Sequence, residues 1–218
     1  MKRIIVFVIA LAVAGTMVFF PAPVRAAMEH QKMDKAVYTQ SVVGLREDMR
    51  RLWEEHIMYT RNFIISSLGG LEDTGKVADR LLRNQDDIGN AIKPIYGEEA
   101  GKKLSGLLRE HILIAADIVA AAKSGDNDGV AKGQKRWLRN ADDIATFLSS
   151  ANPSWPDQTL KDMLYVHLAL TTTEVVSRIK KDWTSDIEAY DKGQAHMLMF
   201  ADVLTDGIVK QFPGKFTK

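Results

Sequence analysis

The chain has 218 residues, of which 46% are hydrophobic and 26% charged; its formal charge is +1 and it contains no cysteine. The lack of thiols excludes disulfides, thiolate metal sites and cysteine nucleophiles. Basic and acidic side chains are interspersed, so no basic stripe exists to follow a phosphate backbone, and nucleic acid is not an expected partner.

The N-terminus reads as a secretory signal. Lys2 and Arg3 precede an uncharged run from Ile4 to Phe20, Pro21 and Pro23 break it, and Val24-Arg25-Ala26 supplies a cleavage site. Residues 1–26 are therefore expected to be removed. Residues 27–218 remain as one exported domain, periplasmic or in the cell envelope, with no membrane span. Loss of Lys2, Arg3 and Arg25 leaves 26 basic against 28 acidic side chains.

Apolar residues then recur at helical spacing along almost the whole chain, and nothing reads as a strand. A first helix is expected from about Lys35 to Leu68, with a seam at Leu45, Met49, Leu52, His56, Tyr59 and Phe63, ended by Gly69-Gly70. A second spans about Thr74 to Lys93, stopped by Pro94 and Gly97. A third runs from about Glu98 to Lys123 with Leu104, Leu107, Leu108, His111, Ile114 and Ile118 on one face. Residues 124–129 read as a turn. They resemble a calcium-loop fragment without its downstream glutamate. The fourth helix carries Trp137, Ala141, Ile144 and Leu148 and stops at Asn152-Pro153. The fifth starts near Pro156 and aligns Leu160, Leu164, His167, Thr171, Glu174 and Arg178; the sixth begins between Lys180 and Thr184 and ends near Phe212. The four tryptophans are expected to fill gaps between helices.

Two patterns repeat. His56, His111 and His167 are 55 and 56 residues apart, each in the apolar seam of an odd-numbered helix. Leu82-Arg83-Asn84-Gln85-Asp86-Asp87-Ile88 recurs 56 residues later as Leu138-Arg139-Asn140-Ala141-Asp142-Asp143-Ile144. The expected fold class is all-α: an antiparallel bundle of about six helices built from three helical hairpins of about 56 residues. Hairpins in series make the odd helices parallel and bring the three imidazoles to similar heights. His30 and His196 stand outside this period in the same reading.

Three neutral imidazoles facing inward from separate helices suit copper, zinc or iron. Glu174, two turns after His167 on the same face, is the candidate acidic ligand. Glu55, Glu110, Asn84 and Asn140 are candidates for the shell around the histidines. The Arg83 and Arg139 pairs with the following aspartates read as helix-surface ion pairs. Against metal binding stands a purely structural layer of hydrogen-bonded histidines, copied by duplication; a proton-handling role is a third reading. No nucleophile elbow, phosphate loop, dinucleotide fingerprint or His-Glu-x-x-His motif occurs.

The blocks Leu-Trp-Glu-Glu-His-Ile at 52–57, Asn-Gln-Asp-Asp-Ile-Gly at 84–89, Asn-Ala-Asp-Asp-Ile-Ala at 140–145, Asn-Pro-Ser-Trp-Pro at 152–156 and Gln-Phe-Pro at 211–213 resemble a family of exported, all-helical bacterial proteins. Some members of that family carry labels such as glycosyltransferase or acetylglutamate kinase. A nucleotide-handling α/β fold is incompatible with the helical pattern here. The resemblance implies export and a helical fold, and transfers no catalytic residue. The expected function is thus a non-enzymatic binding protein of the envelope, with an unidentified protein or envelope partner. The alternatives are a structural or interaction module, or a metal-dependent redox enzyme.

Overall fold

The computed structural model describes residues 40–217, so the signal segment and His30 lie outside the described residues. Six α-helices follow one another: α1 (Gln40–Gly69), α2 (Thr74–Tyr96), α3 (Glu98–Ser124), α4 (Asn127–Ala151), α5 (Asp157–Lys180) and α6 (Trp183–Gln211). A short 3₁₀ turn, Pro213–Lys215, closes the described chain. The protein is all-α, and no strand occurs among the described residues. None of these helices is long and apolar enough to cross a membrane.

Each helix packs against its neighbours in the chain, and α6 packs back on α1, which closes a ring of six helices. Short connections enforce the antiparallel order. Gly70, Gly97 and Gly125 hold positive φ angles of 67°, 88° and 75° at the ends of α1, α2 and α3, a conformation glycine adopts without a Cβ clash. Lys181 takes the same left-handed cap after α5, at φ 60°.

The helices are amphipathic in the way the spacing requires. The α3 face Leu104, Leu107, Leu108, His111, Ile114, Ile118 is buried throughout, as is Leu160, Leu164, His167, Thr171, Glu174 on α5. A fully buried Leu, Ile or Phe contributes about 1.5–3 kcal/mol relative to exposure, so the aliphatic and aromatic core dominates cohesion. Two glycines permit close approaches. A Cβ on Gly207 of α6 would run into the indole of Trp155, and one on Gly89 of α2 into Ser105 Oγ and the Gly101 carbonyl of α3.

Several local expectations need correction. Pro94 does not stop α2, which continues to Tyr96. So near the C-terminus, the missing N–H removes only one backbone bond, and Gly97 ends the helix by donating to the Lys93 carbonyl. The 124–129 cluster is not all turn: Asp126 caps α4 by accepting from the Gly129 N–H at 2.9 Å, and Asn127 onward is helical. Trp53, Trp137 and Trp155 are buried, but Trp183 is 52% exposed, with Arg178 over its ring. Asp86 pairs with Arg109 of α3 at 2.9 Å, and Asp142 accepts from the Tyr165 hydroxyl at 2.5 Å. These carboxylates join helices rather than pairing with Arg83 or Arg139.

A buried histidine layer as candidate functional site

The three seam histidines converge. Each is only 2–3% exposed. Their ring centres are 5.5 Å (His56–His167), 5.8 Å (His111–His167) and 6.4 Å (His56–His111) apart. Trp53 meets His56 edge-on at 5.7 Å, and Trp137 lies 5.1 Å from His111. The layer is therefore walled by indoles within an apolar core.

Hydrogen bonds from the even helices grip the layer from outside. Asn84 Nδ2 of α2 donates to the Leu52 carbonyl, and Asn140 Nδ2 of α4 to the Leu107 carbonyl, each at 3.0 Å. Both carbonyls belong to the residue four positions before a layer histidine. The third odd helix has the same contact from a different side chain: His196 Nε2 of α6 donates to the Met163 carbonyl at 2.7 Å. His196 is therefore part of the arrangement, against the reading that set it aside. The signal was in the numbering, because 84, 140 and 196 are spaced by 56.

Asn140 also sets a tautomer. With its amide nitrogen committed to Leu107, its Oδ1 faces His111 Nδ1 at 2.9 Å. An amide oxygen only accepts, so His111 carries its proton on Nδ1 and leaves the lone pair on Nε2. Gln85 occupies a related place beside His56. Its Nε2 donates to the Leu81 carbonyl and to Asn84 Oδ1; the amide favours the protonated form of His56, although neither Gln85 Oε1 nor His56 Nδ1 makes a hydrogen bond of normal geometry. The Nδ1 of His167 has none either.

Burial is the main influence on protonation. Desolvation, then the neighbouring His111, holds His56 down to about 3; desolvation brings His111 to about 4, although Asn140 opposes the shift. His167 is held well below its ordinary value by desolvation and by the three other imidazoles. At neutral pH the layer is uncharged.

The acidic candidates stand elsewhere. Glu174 is buried, but its Oε1 accepts from Arg61 Nη1 at 2.8 Å. Arg61 also reaches Asp186, which Arg178 contacts at 2.7 Å. Glu174 thus belongs to an ion-pair network of α1, α5 and α6, a full two turns along α5 from His167. Desolvation raises its carboxyl to about 7 despite Arg61. Glu55 pairs with Arg80 at 2.7 Å and with Arg51, and Glu110 is exposed. Of the four shell candidates, Asn140 bonds a layer histidine; Asn84 bonds the adjacent backbone and Gln85.

Among the described residues, no set of three or more His, Asp or Glu side chains is already arranged to hold a metal ion. The ring spacing is nonetheless close to what ligation needs. A point in the plane of the ring centres lies about 3.4 Å from all three, against about 3.2 Å for rings whose nitrogens sit 2.0–2.1 Å from a metal. No family model, curated protein or solved structure matches the chain.

Proposed function

We propose that this is an exported, non-enzymatic binding protein that holds one transition-metal ion at the centre of its bundle through His56, His111 and His167. One observation carries the reading: three neutral, fully buried imidazoles lie within 6.4 Å of one another, with two Nδ1 atoms lacking partners. An unpartnered buried polar atom costs about 1–3 kcal/mol, and the two on His56 and His167 leave donor and acceptor capacity unused in one place. Asn140 Oδ1, by accepting from His111 Nδ1–H, keeps the proton on Nδ1 and leaves Nε2 as the atom free to ligate, the arrangement that outer partners commonly impose on metal-bound histidines. Glu174 has no part in this site. The charge pattern of residues 1–26 supports export, and the block resemblance to exported helical proteins agrees with it.

Copper, zinc and iron are all compatible with imidazole ligands. Protein purified without a histidine tag should take up one equivalent of at least one of them and retain it through gel filtration. The His111→Gln variant should lose it. A chain that remains metal-free after incubation with each ion in turn rules the function out.

A second reading has its own supporting observation. The recurring bonds to the Leu52, Leu107 and Met163 carbonyls suit a purely structural layer, in which the histidines pack and orient the helices. Under it, histidine variants lose stability and no metal is bound at all.

A further inference from the structure

We infer that a groove at one pole of the bundle binds a single-chain anionic amphiphile, an acyl chain ending in a carboxylate. This site is separate from the histidine layer and does not depend on a metal. It lies where α1, α3 and α5 end and α6 begins, and it encloses about 380 Å³, near the lower limit of small-molecule sites. Leu68, Ile179 and Trp183 supply apolar walls; Lys123, Arg178 and Lys181 supply cations, and no carboxylate lines the groove. A volume of this size suits one slim chain rather than the paired chains of a bilayer lipid. Leu71, Ile179, Trp183 and Ile187 are 43–52% exposed, and all four belong to this pole. The Leu71 side chain lies against Gly69, which lines the groove, and Ile187 follows Trp183 by one helical turn. Scattered exposed apolar side chains are ordinary, whereas a cluster edged by charge marks a contact site.

Charge selects the ligand. Asp182, next to Lys181, caps α6 by accepting from the Ser185 N–H. Arg178 is held by the buried Asp186 at 2.7 Å and lies 5.5 Å from the Trp183 ring centre, so it stiffens the wall. The lysines carry the remaining charge. Lys123 Nζ donates to the Ser67 carbonyl and keeps two further N–H groups. Lys181 has an independent peculiarity: among the described residues it is the one non-glycine with positive φ, whereas Gly70, Gly97 and Gly125 hold that conformation after α1, α2 and α3. A side chain is strained there, and such strain concentrates where residues contact ligands. Favourable charge at the end of α5 does not require it, because Arg178 and Lys180 already stand in the last turn. Neither end of the described chain covers the groove. Gln40 opens the 30-residue α1 about 45 Å away, and Lys215 bonds to the Pro94 carbonyl at the remote end of α2.

The test is calorimetric titration of the full chain with dodecanoate below its micelle concentration. One equivalent should bind in the micromolar range. Octanoate, which buries fewer methylenes, should bind at least about tenfold more weakly. Decanol and decanoate share a chain length, and decanol should be at least about fivefold weaker. Lys181→Gly should weaken dodecanoate at least about fivefold and leave decanol unchanged. It should also unfold at or above the wild-type temperature, because glycine adopts the left-handed conformation without strain. Trp183→Ala, at an exposed position, should weaken both dodecanoate and decanol at least about tenfold. Absence of dodecanoate binding, or binding that neither variant alters, would overturn the site. Equal affinity for decanol and decanoate would overturn the anionic headgroup. Co-sedimentation with phosphatidylglycerol vesicles by a protein that does not bind monomeric dodecanoate would overturn the single-chain ligand in favour of a lipid surface.

Discussion

Acidification should destabilise the metal-free protein, and Glu174 should hide part of the effect. His56 and His111 titrate near 3 and 4 in the folded chain, and His167 well below its ordinary value; all three titrate near 6.5 when unfolded. Their folded values are depressed, so the unfolded chain binds more protons as pH falls. Stability is complete above about pH 7 and is lost as pH drops from about 6.5 towards the folded values. At pH 5 His56 and His111 have each removed about 2 kcal/mol relative to pH 8, about 4 kcal/mol together, and His167 adds to the loss. His196, also depressed by burial, adds to the loss. Glu174 has the opposite sign. Its carboxyl is raised to about 7, so the folded chain takes up a proton first and gains about 2.5 kcal/mol over the same interval. The net loss is therefore at least about 1.5 kcal/mol. Urea titrations at pH 8 and pH 5 in the presence of a chelator measure it. The Glu174→Gln variant removes the opposing contribution, and its loss should exceed that of the wild type by about 2.5 kcal/mol. Wild-type and variant proteins that are both as stable at pH 5 as at pH 8 would refute the claim that the imidazoles are buried and neutral.

Arg61→Met leaves Glu174 with no partner at its Oε1 and Asp186 with Arg178 alone. It should cost about 3–5 kcal/mol at pH 8 and distinctly less at pH 5, where Glu174 is protonated; an equal cost at the two pH values contradicts the network described. Asn140→Ala removes the bonds to the Leu107 carbonyl and to His111 Nδ1 and should lower the unfolding free energy by about 2–4 kcal/mol. A urea-denaturation difference below about 0.5 kcal/mol would mean that these bonds contribute nothing net. Gly207→Ala forces a methyl group into the Trp155 indole. The expected cost is about 1–3 kcal/mol, with a changed tryptophan emission, and an unaltered melting temperature would show that the helices accommodate the methyl group.

The helices and the height of the histidines were legible because both follow from spacing. Seams at three- and four-residue intervals bury one face, and equal separations of 55 and 56 residues return equivalent positions of parallel helices to one level. Glu174 was misread because sharing a face is not sharing a site: seven residues of helix are about 10 Å of rise. Arg61 lies five residues after His56 and Glu174 seven after His167, so parallel helices with level histidines bring those two side chains together. Comparing the two offsets would have identified the ion pair. His196 was missed because the search followed residue type, whereas the recurring feature is an N–H offered to a carbonyl. Asp86 and Asp142 could not be read from their own helices, since Arg109 and Tyr165 reach them across an interface.

The bonds to the Leu52, Leu107 and Met163 carbonyls also limit how the bundle can slip. A helix that slides along its neighbour by one turn moves about 5.4 Å, far beyond the reach of any of the three donors. Side chains of the apolar seam find nearly equivalent grooves one turn away, so hydrophobic packing alone discriminates weakly between such alignments. The three N–H groups do not, because each serves one carbonyl at one height. Exchange at positions 84, 140 and 196 is therefore restricted by function of the donor: an amide or an imidazole keeps the alignment, while aspartate, which offers no N–H to the carbonyl, would release it.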